Sequence, residues 1–221
     1  MIAKRRWHKK QRRIEMTTVK IRIKFEESIL GSLPGNEKIF DEFIASKSPD
    51  ASTREEEIAA IGADSVLEKG TTVFPRNAEG QPCLYDYQIK GFFKDACSML
   101  KRVPGKKNEG DGIGTNSAAL KAFKKEIDGL IFVEPRLSPI TMNGDMTICQ
   151  RPLRAQTMQG ERVALASSEE IPAGSTVDFD IILMRDDLWN CLEEWLDYGR
   201  FRGLGQWRNG GHGKFTYEVL D

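Results

Sequence analysis

Histidine and cysteine are scarce in this chain. The only histidines are His8 and His212, and Cys83, Cys97, Cys149 and Cys191 lie far apart with no CxxC pair. That excludes the usual zinc spacings and a disulfide framework, so reduced thiols in a cytoplasmic setting are expected. Apolar runs are short. None approaches the roughly 20 residues of a membrane-spanning helix, so no membrane partner is expected. HExxH, GxSxG and GxxxxGK[ST] are absent, as is any His/Cys cluster, so no metal or cofactor is expected. Net charge is also missing, with 33 Lys and Arg against 33 Asp and Glu.

The zero balance hides an asymmetry. Residues 1–13, MIAKRRWHKKQRR, carry seven of the basic residues and no acid. Residues 1–15 therefore read as a disordered basic arm, either an electrostatic contact for nucleic acid or an upstream extension of a fold beginning at Met16. The remainder is acidic, so a polyanion has to be held there by local basic patches. With 221 residues and 39% hydrophobic content, a substantial core is within reach.

Val19, Ile21, Ile23 and Phe25 alternate with cations, the period of a half-buried strand. NEKIFDEFIASK (36–47) and STREEEIAAIGA (52–63) read as two short helices, with Glu55, Glu56 and Glu57 as a solvated first turn. TTVF and CLYD frame a hairpin-like connection over 71–86. DYQIKGFFKDACSMLKR is the strongest helix, its stripe formed by Ile89, Phe92, Phe93, Ala96 and Leu100. Gly91 costs about 1 kcal/mol there relative to Ala, which a close backbone approach would explain. Residues 103–117 are long, polar and Gly-rich, a flexible finger loop. A short helix over 118–127 and a buried strand in GLIFVEP follow. Strands and turns alternate over 141–184, and IPAGS feeds VDFDIILM. Asp186 caps a last helix, and KFTYEVL closes the chain as a strand. The plan is α+β: a mainly antiparallel sheet with a ferredoxin-like, RRM-like core, a helical insertion over 36–63, and a glycine-rich loop before the last strand.

That loop, GRFRGLGQWRNGGHGKF (199–215), places six glycines among Arg200, Arg202, Arg208, Lys214, Trp207 and His212. Amides freed from side-chain bulk can form a nest for phosphates, with the cations beside them and Trp207 stacking on a base. The competing reading is a tight turn that returns the last strand to the sheet, with Trp207 in the core.

Three stretches, in order, resemble the RAMP superfamily, the ferredoxin-like RNA-binding subunits of CRISPR effector complexes. LYDYQIKGFFKDA is similar to its Lys-Gly-then-helix motif, EEIPAGSTVDFDIILM to its Pro-x-Gly turn and strand, and GLGQWRNGGHGKF to its glycine-rich loop. The likeness runs over 18–221 and is strongest with the backbone subunits that coat guide RNA; small prophage-encoded proteins look similar too. The 36–63 helices depart from the pattern. Asp41 and Asp50 lie where target-cutting relatives carry a catalytic Asp, yet neither sits in a recognisable motif.

The resemblance implies a non-catalytic subunit binding single-stranded RNA or DNA, in a ribonucleoprotein with other RAMP-like subunits or in a self-associated oligomer. The expected contacts are Gly205, Gln206, Trp207, Arg208, Asn209, Gly210, Gly211, His212 and Lys214 in the loop, with Arg200 and Arg202 on the helix before it. Lys90 and Gly91 are placed at the opening of the first main helix, Lys101 and Arg102 at the base of the finger, and Arg151 and Arg154 on a strand. Two further classes stay open: an endoribonuclease using His212 as general acid or base, and a phage-encoded interaction protein or inhibitor reusing the fold.

Overall fold

The computed structural model describes residues 16–34, 71–103, 115–157 and 160–220, with backbone alone over 153–157 and 160–165. The arm 1–15, the 36–63 helices with Asp41, Asp50 and Glu55–Glu57, the Arg154 side chain and most of the 103–117 finger lie outside the described residues.

β1 (Thr17–Phe25) forms because its alternation has somewhere to go: Ile21, Ile23 and Phe25 are wholly buried. It pairs antiparallel with β10 (Thr176–Leu183) on one side and β11 (Phe215–Leu220) on the other. β10 pairs in turn with β6 (Ile131–Glu134) and β7 (Leu137–Thr141), and β5 (Cys83–Tyr85) extends the sheet beyond β7. α1 (Asp86–Leu100) leads towards β6, and α4 (Trp189–Arg202) links β10 to β11. Each strand-helix-strand unit is thus split by a strand of the other, which is the ferredoxin-like arrangement expected.

One sheet face is sealed by the two long helices. Ile89, Phe92, Phe93 and Ala96 of α1 and Leu192, Trp195 and Leu196 of α4 are buried with Val177, Phe179, Ile181 and Leu183 of β10. Each fully buried large apolar side chain contributes about 1.5–3 kcal/mol. Trp195 satisfies its indole N–H on Ser117 Oγ at 2.9 Å. Glu194 accepts from the N–H groups of Asn116 and Ser117, supplying α2 (Asn116–Ala119) with a cap its own Thr115 does not provide. Burial raises the Cys97 thiol to about 11 and the Cys191 thiol to about 12, which leaves both unreactive.

A second sheet stands beside the first. β8 (Thr147–Thr157) and β9 (Gly160–Ile171) make a long hairpin, and β9 also pairs with β2 (Ile29–Leu30) and, in parallel, with β4 (Thr72–Val73), which carries β3 (Leu33–Pro34). The IPAGS turn behaves as expected, joining β9 to β10 with Gly174 at φ +84°.

Several expectations need correction. β4 and β5 join different sheets rather than pairing with each other, but their connection is hairpin-like as expected, closed by an Arg76–Pro82 bridge and by Asn77 N–H donating to Gln81 O and Cys83 N–H to Pro75 O. The helical segment near 118–127 is two pieces, α2 and α3 (Phe123–Leu130), so the strand after it begins at Ile131 and is buried on alternate residues only. Asp186 lies in a short 3-10 turn and accepts a hydrogen bond from Thr17 Oγ1 at 2.6 Å; α4 starts at Trp189. A Cβ at Gly91 would meet nothing within 4 Å, so no close approach among the described residues accounts for that glycine.

Candidate nucleic-acid interface

The glycine-rich segment splits into two parts with different chemistry. Its stem is closed on the protein's own backbone. Gly203 N–H donates to Gly199 O, Leu204 N–H to Gly213 O, and Gly213 N–H to Ser28 O, while Gln206 N–H reaches Leu30 O at 3.4 Å. Gly210 and Gly211 N–H close the short turn on Trp207 O and Arg208 O. The expected phosphate nest is therefore largely filled from within, because the loop needs those amides to dock on β2. Glycine is demanded sterically: a Cβ on Gly213 would overlap Leu204 O, one on Gly203 would meet Gly213, and one on Gly205 would meet Leu30 O at 2.7 Å.

The loop's cations are partly spent in the same way. Arg202 Nε lies 2.7 Å and an Arg208 guanidinium nitrogen 2.9 Å from the same Asp95 oxygen, and Arg202 also donates to Asn209 Oδ1 at 2.6 Å. One carboxylate shared by two guanidinium groups leaves about one positive charge over. Arg200 stands 3.9 Å from Asp197 and over the Phe201 ring. Lys214 has no ion-pair partner among the described residues.

The outer part is a side-chain cluster against the β8–β9 hairpin. Trp207 is 44% exposed, so it is not the core residue of the competing reading, and its backbone is left-handed at φ 51°. A bulky aromatic residue in that region is strained. Its ring stacks on His212 at 5.1 Å, and the Arg151 guanidinium sits 5.0 Å from its centre. Arg151 is only 7% exposed and donates to Ser168 Oγ at 3.1 Å and Gln206 Oε1 at 3.0 Å. Thr72 also donates to Gln206 Oε1. Arg151 thus lies on a strand as expected, but its side chain is enclosed rather than spread on the surface.

Beneath the stack, Ser28 Oγ is 2.5 Å from Glu170 Oε1 and 3.1 Å from His212 Nδ1. Sequence reasoning reached neither Ser28, Glu170, Ser168 nor Asp95. The side-chain partners of Ser28 and Asp95 lie between 107 and 184 residues away along the chain and those of Ser168 lie 17 and 96 away, separations that leave no periodic trace.

Other expected contacts lie apart from this cluster. α1 begins at Asp86, so Lys90 is in its second turn rather than at its opening; its ammonium donates to Asp128 O and lies over Phe132, and burial lowers its pKa. Lys101 turns inward to Leu120 O and the Phe123 ring. Arg102 is exposed. On the open face of the main sheet, Arg22 pairs with Asp178 at 2.7 Å and faces Glu218 at 3.6 Å, and Arg22's hydrogen bond holds the Asp178 carboxyl below its usual range.

The sequence matches no protein-family model and no curated protein. Among solved structures the chain is similar to a subunit of the Type III-B Cmr-beta complex bound to cognate target RNA, with 14% identity and a TM-score of 0.47 over 94% of this chain and 60% of that one. It is also similar to Cmr6 from Pyrococcus furiosus, with 11% identity and a TM-score of 0.44 over 93% and 100%. The chain spans less than two thirds of the first. No helix among the described residues is long and apolar enough to cross a membrane.

Proposed function

We propose that this chain binds single-stranded nucleic acid, RNA or DNA, without cleaving it. We further propose that it works as a subunit beside copies of itself or other RAMP-like subunits. Arg151 carries the reading. A nearly buried guanidinium whose partners are Ser168, Gln206 and an indole has no carboxylate among the described residues to balance its charge. Burying an unpaired charge is costly, and a phosphate would supply the missing anion. The surplus positive charge on Arg202 and Arg208 and the ammonium of Lys214 favour the same ligand. Trp207, strained and half in solvent, gives a base an existing aromatic stack to join. Phe201, 68% exposed beside Tyr198, offers apolar surface to a neighbouring subunit.

Fluorescence anisotropy with labelled single strands tests this. Arg151→Gln is expected to weaken binding about tenfold, roughly 1.4 kcal/mol. Its melting temperature should hold or rise, because an uncompensated buried charge has been removed. Unchanged affinity, or loss of stability with no change in affinity, overturns the reading.

A further inference from the structure

The cluster contains a hydrogen-bond relay whose direction follows from its end group. A carboxylate only accepts, and Glu170 Oε1 lies 2.5 Å from Ser28 Oγ, so the single Ser28 hydroxyl proton points to Glu170. Ser28 Oγ is then left to accept at its other contact, His212 Nδ1, 3.1 Å away. The reverse order, with Ser28 donating to the ring, would set two oxygens lone pair to lone pair at 2.5 Å. His212 therefore carries its proton on Nδ1. In the neutral ring Nε2 is a bare acceptor, with no partner among the described residues. A ring stacked on Trp207 cannot easily turn to exchange its two nitrogens.

A bare acceptor is a poor contact for a phosphate oxygen, which has no proton to give. It suits a donor, and a nucleic acid offers two kinds: base N–H groups, common to RNA and DNA, and the ribose 2′-hydroxyl, which RNA alone carries on the sugar between successive phosphates. We infer that His212 Nε2, fixed as an acceptor by Ser28 and Glu170, reads the 2′-hydroxyl and makes the interface selective for RNA over DNA. This rests on the nucleic-acid reading above and names its substrate class. Arg151 holds charge common to both polymers, and His212 tells them apart.

The experiment uses the full chain with RNA and DNA oligonucleotides of one sequence, and nitrogen NMR of labelled histidine for the tautomer. The wild type should show a protonated Nδ1 and prefer RNA about three- to tenfold, the value of one hydrogen bond. His212→Ala should bring the ratio to about one by lowering RNA affinity more than DNA affinity. Ser28→Ala, which removes no group facing the ligand, should shrink the ratio and disturb the tautomer, an effect that simple packing would not give. A proton on Nε2, or a His212→Ala variant that weakens RNA and DNA equally, overturns the inference and leaves the binding reading standing. If neither polymer binds the wild type, both fall.

Discussion

The stem of the glycine-rich segment and the outer cluster built on it share the short stretch of chain that carries Trp207 and His212, yet they answer to different demands. In the stem, Gly203, Gly205 and Gly213 let three stretches of backbone touch, and the amides there are consumed in doing so. In the outer cluster, Trp207, Arg151 and His212 keep capacity that the described residues do not use: an exposed indole, and a guanidinium and a ring nitrogen with no carboxylate and no donor, respectively, among those residues. Glycine richness and cation richness look like one signal in the sequence. They are two signals superposed, one steric and one chemical.

Substituting glycines across the boundary is the sharpest way to break that comparison. Gly213→Ala puts a methyl into Leu204 O at a residue with φ +72°, so the chain is expected to lose more than about 4 kcal/mol or fail to fold. Gly211→Ala meets nothing within 4 Å and carries only the strain of φ +96°, about 1–2 kcal/mol. Chemical denaturation measures both. Equal losses would erase the division between stem and cluster.

The same division explains what could be read in advance. The strand β1, the stripe of α1 and the IPAGS turn were legible because each depends on neighbours within a few residues. The ferredoxin-like core followed from the alternation of strands with two striped helices. The nest was misplaced because glycine content says that a backbone is free to bend, but not which carbonyl it will meet; Ser28 and Leu30 are nearly two hundred residues upstream. Arg151 was singled out as a cation on a strand, but its burial depends on a hairpin, on β4 and on the loop arriving together. Asp95 was invisible for the same reason, being a polar residue on a helix whose two partners come from the far end of the chain.

Asp95 probes the boundary with a smaller effect. If Arg202 and Arg208 belong mainly to the stem, Asp95→Asn should cost about 1 kcal/mol, since these pairs are only partly buried. Affinity for single-stranded RNA should then stay within about twofold in the same anisotropy assay. A gain of several fold would mean that the released guanidinium groups reach phosphate, and the interface would then extend into the stem.

Gly91 is the contrast case, a glycine with neither demand visible. It lies inside α1 on an exposed position, and a Cβ there meets no atom within 4 Å. Helix propensity then favours alanine by about 0.8–1 kcal/mol, partly because alanine narrows the unfolded ensemble. Gly91→Ala should therefore raise the melting temperature by about 2–4 °C for a chain of this length. The variant becomes informative when stability and binding are measured together. A stabilised protein with unchanged RNA affinity marks Gly91 as sterically idle, unlike Gly213. A stabilised protein that binds RNA more weakly, or no longer assembles, would show that the free surface over α1 is kept open for a ligand or subunit, the chemical demand that the outer cluster meets with side chains and this helix would meet by omitting one.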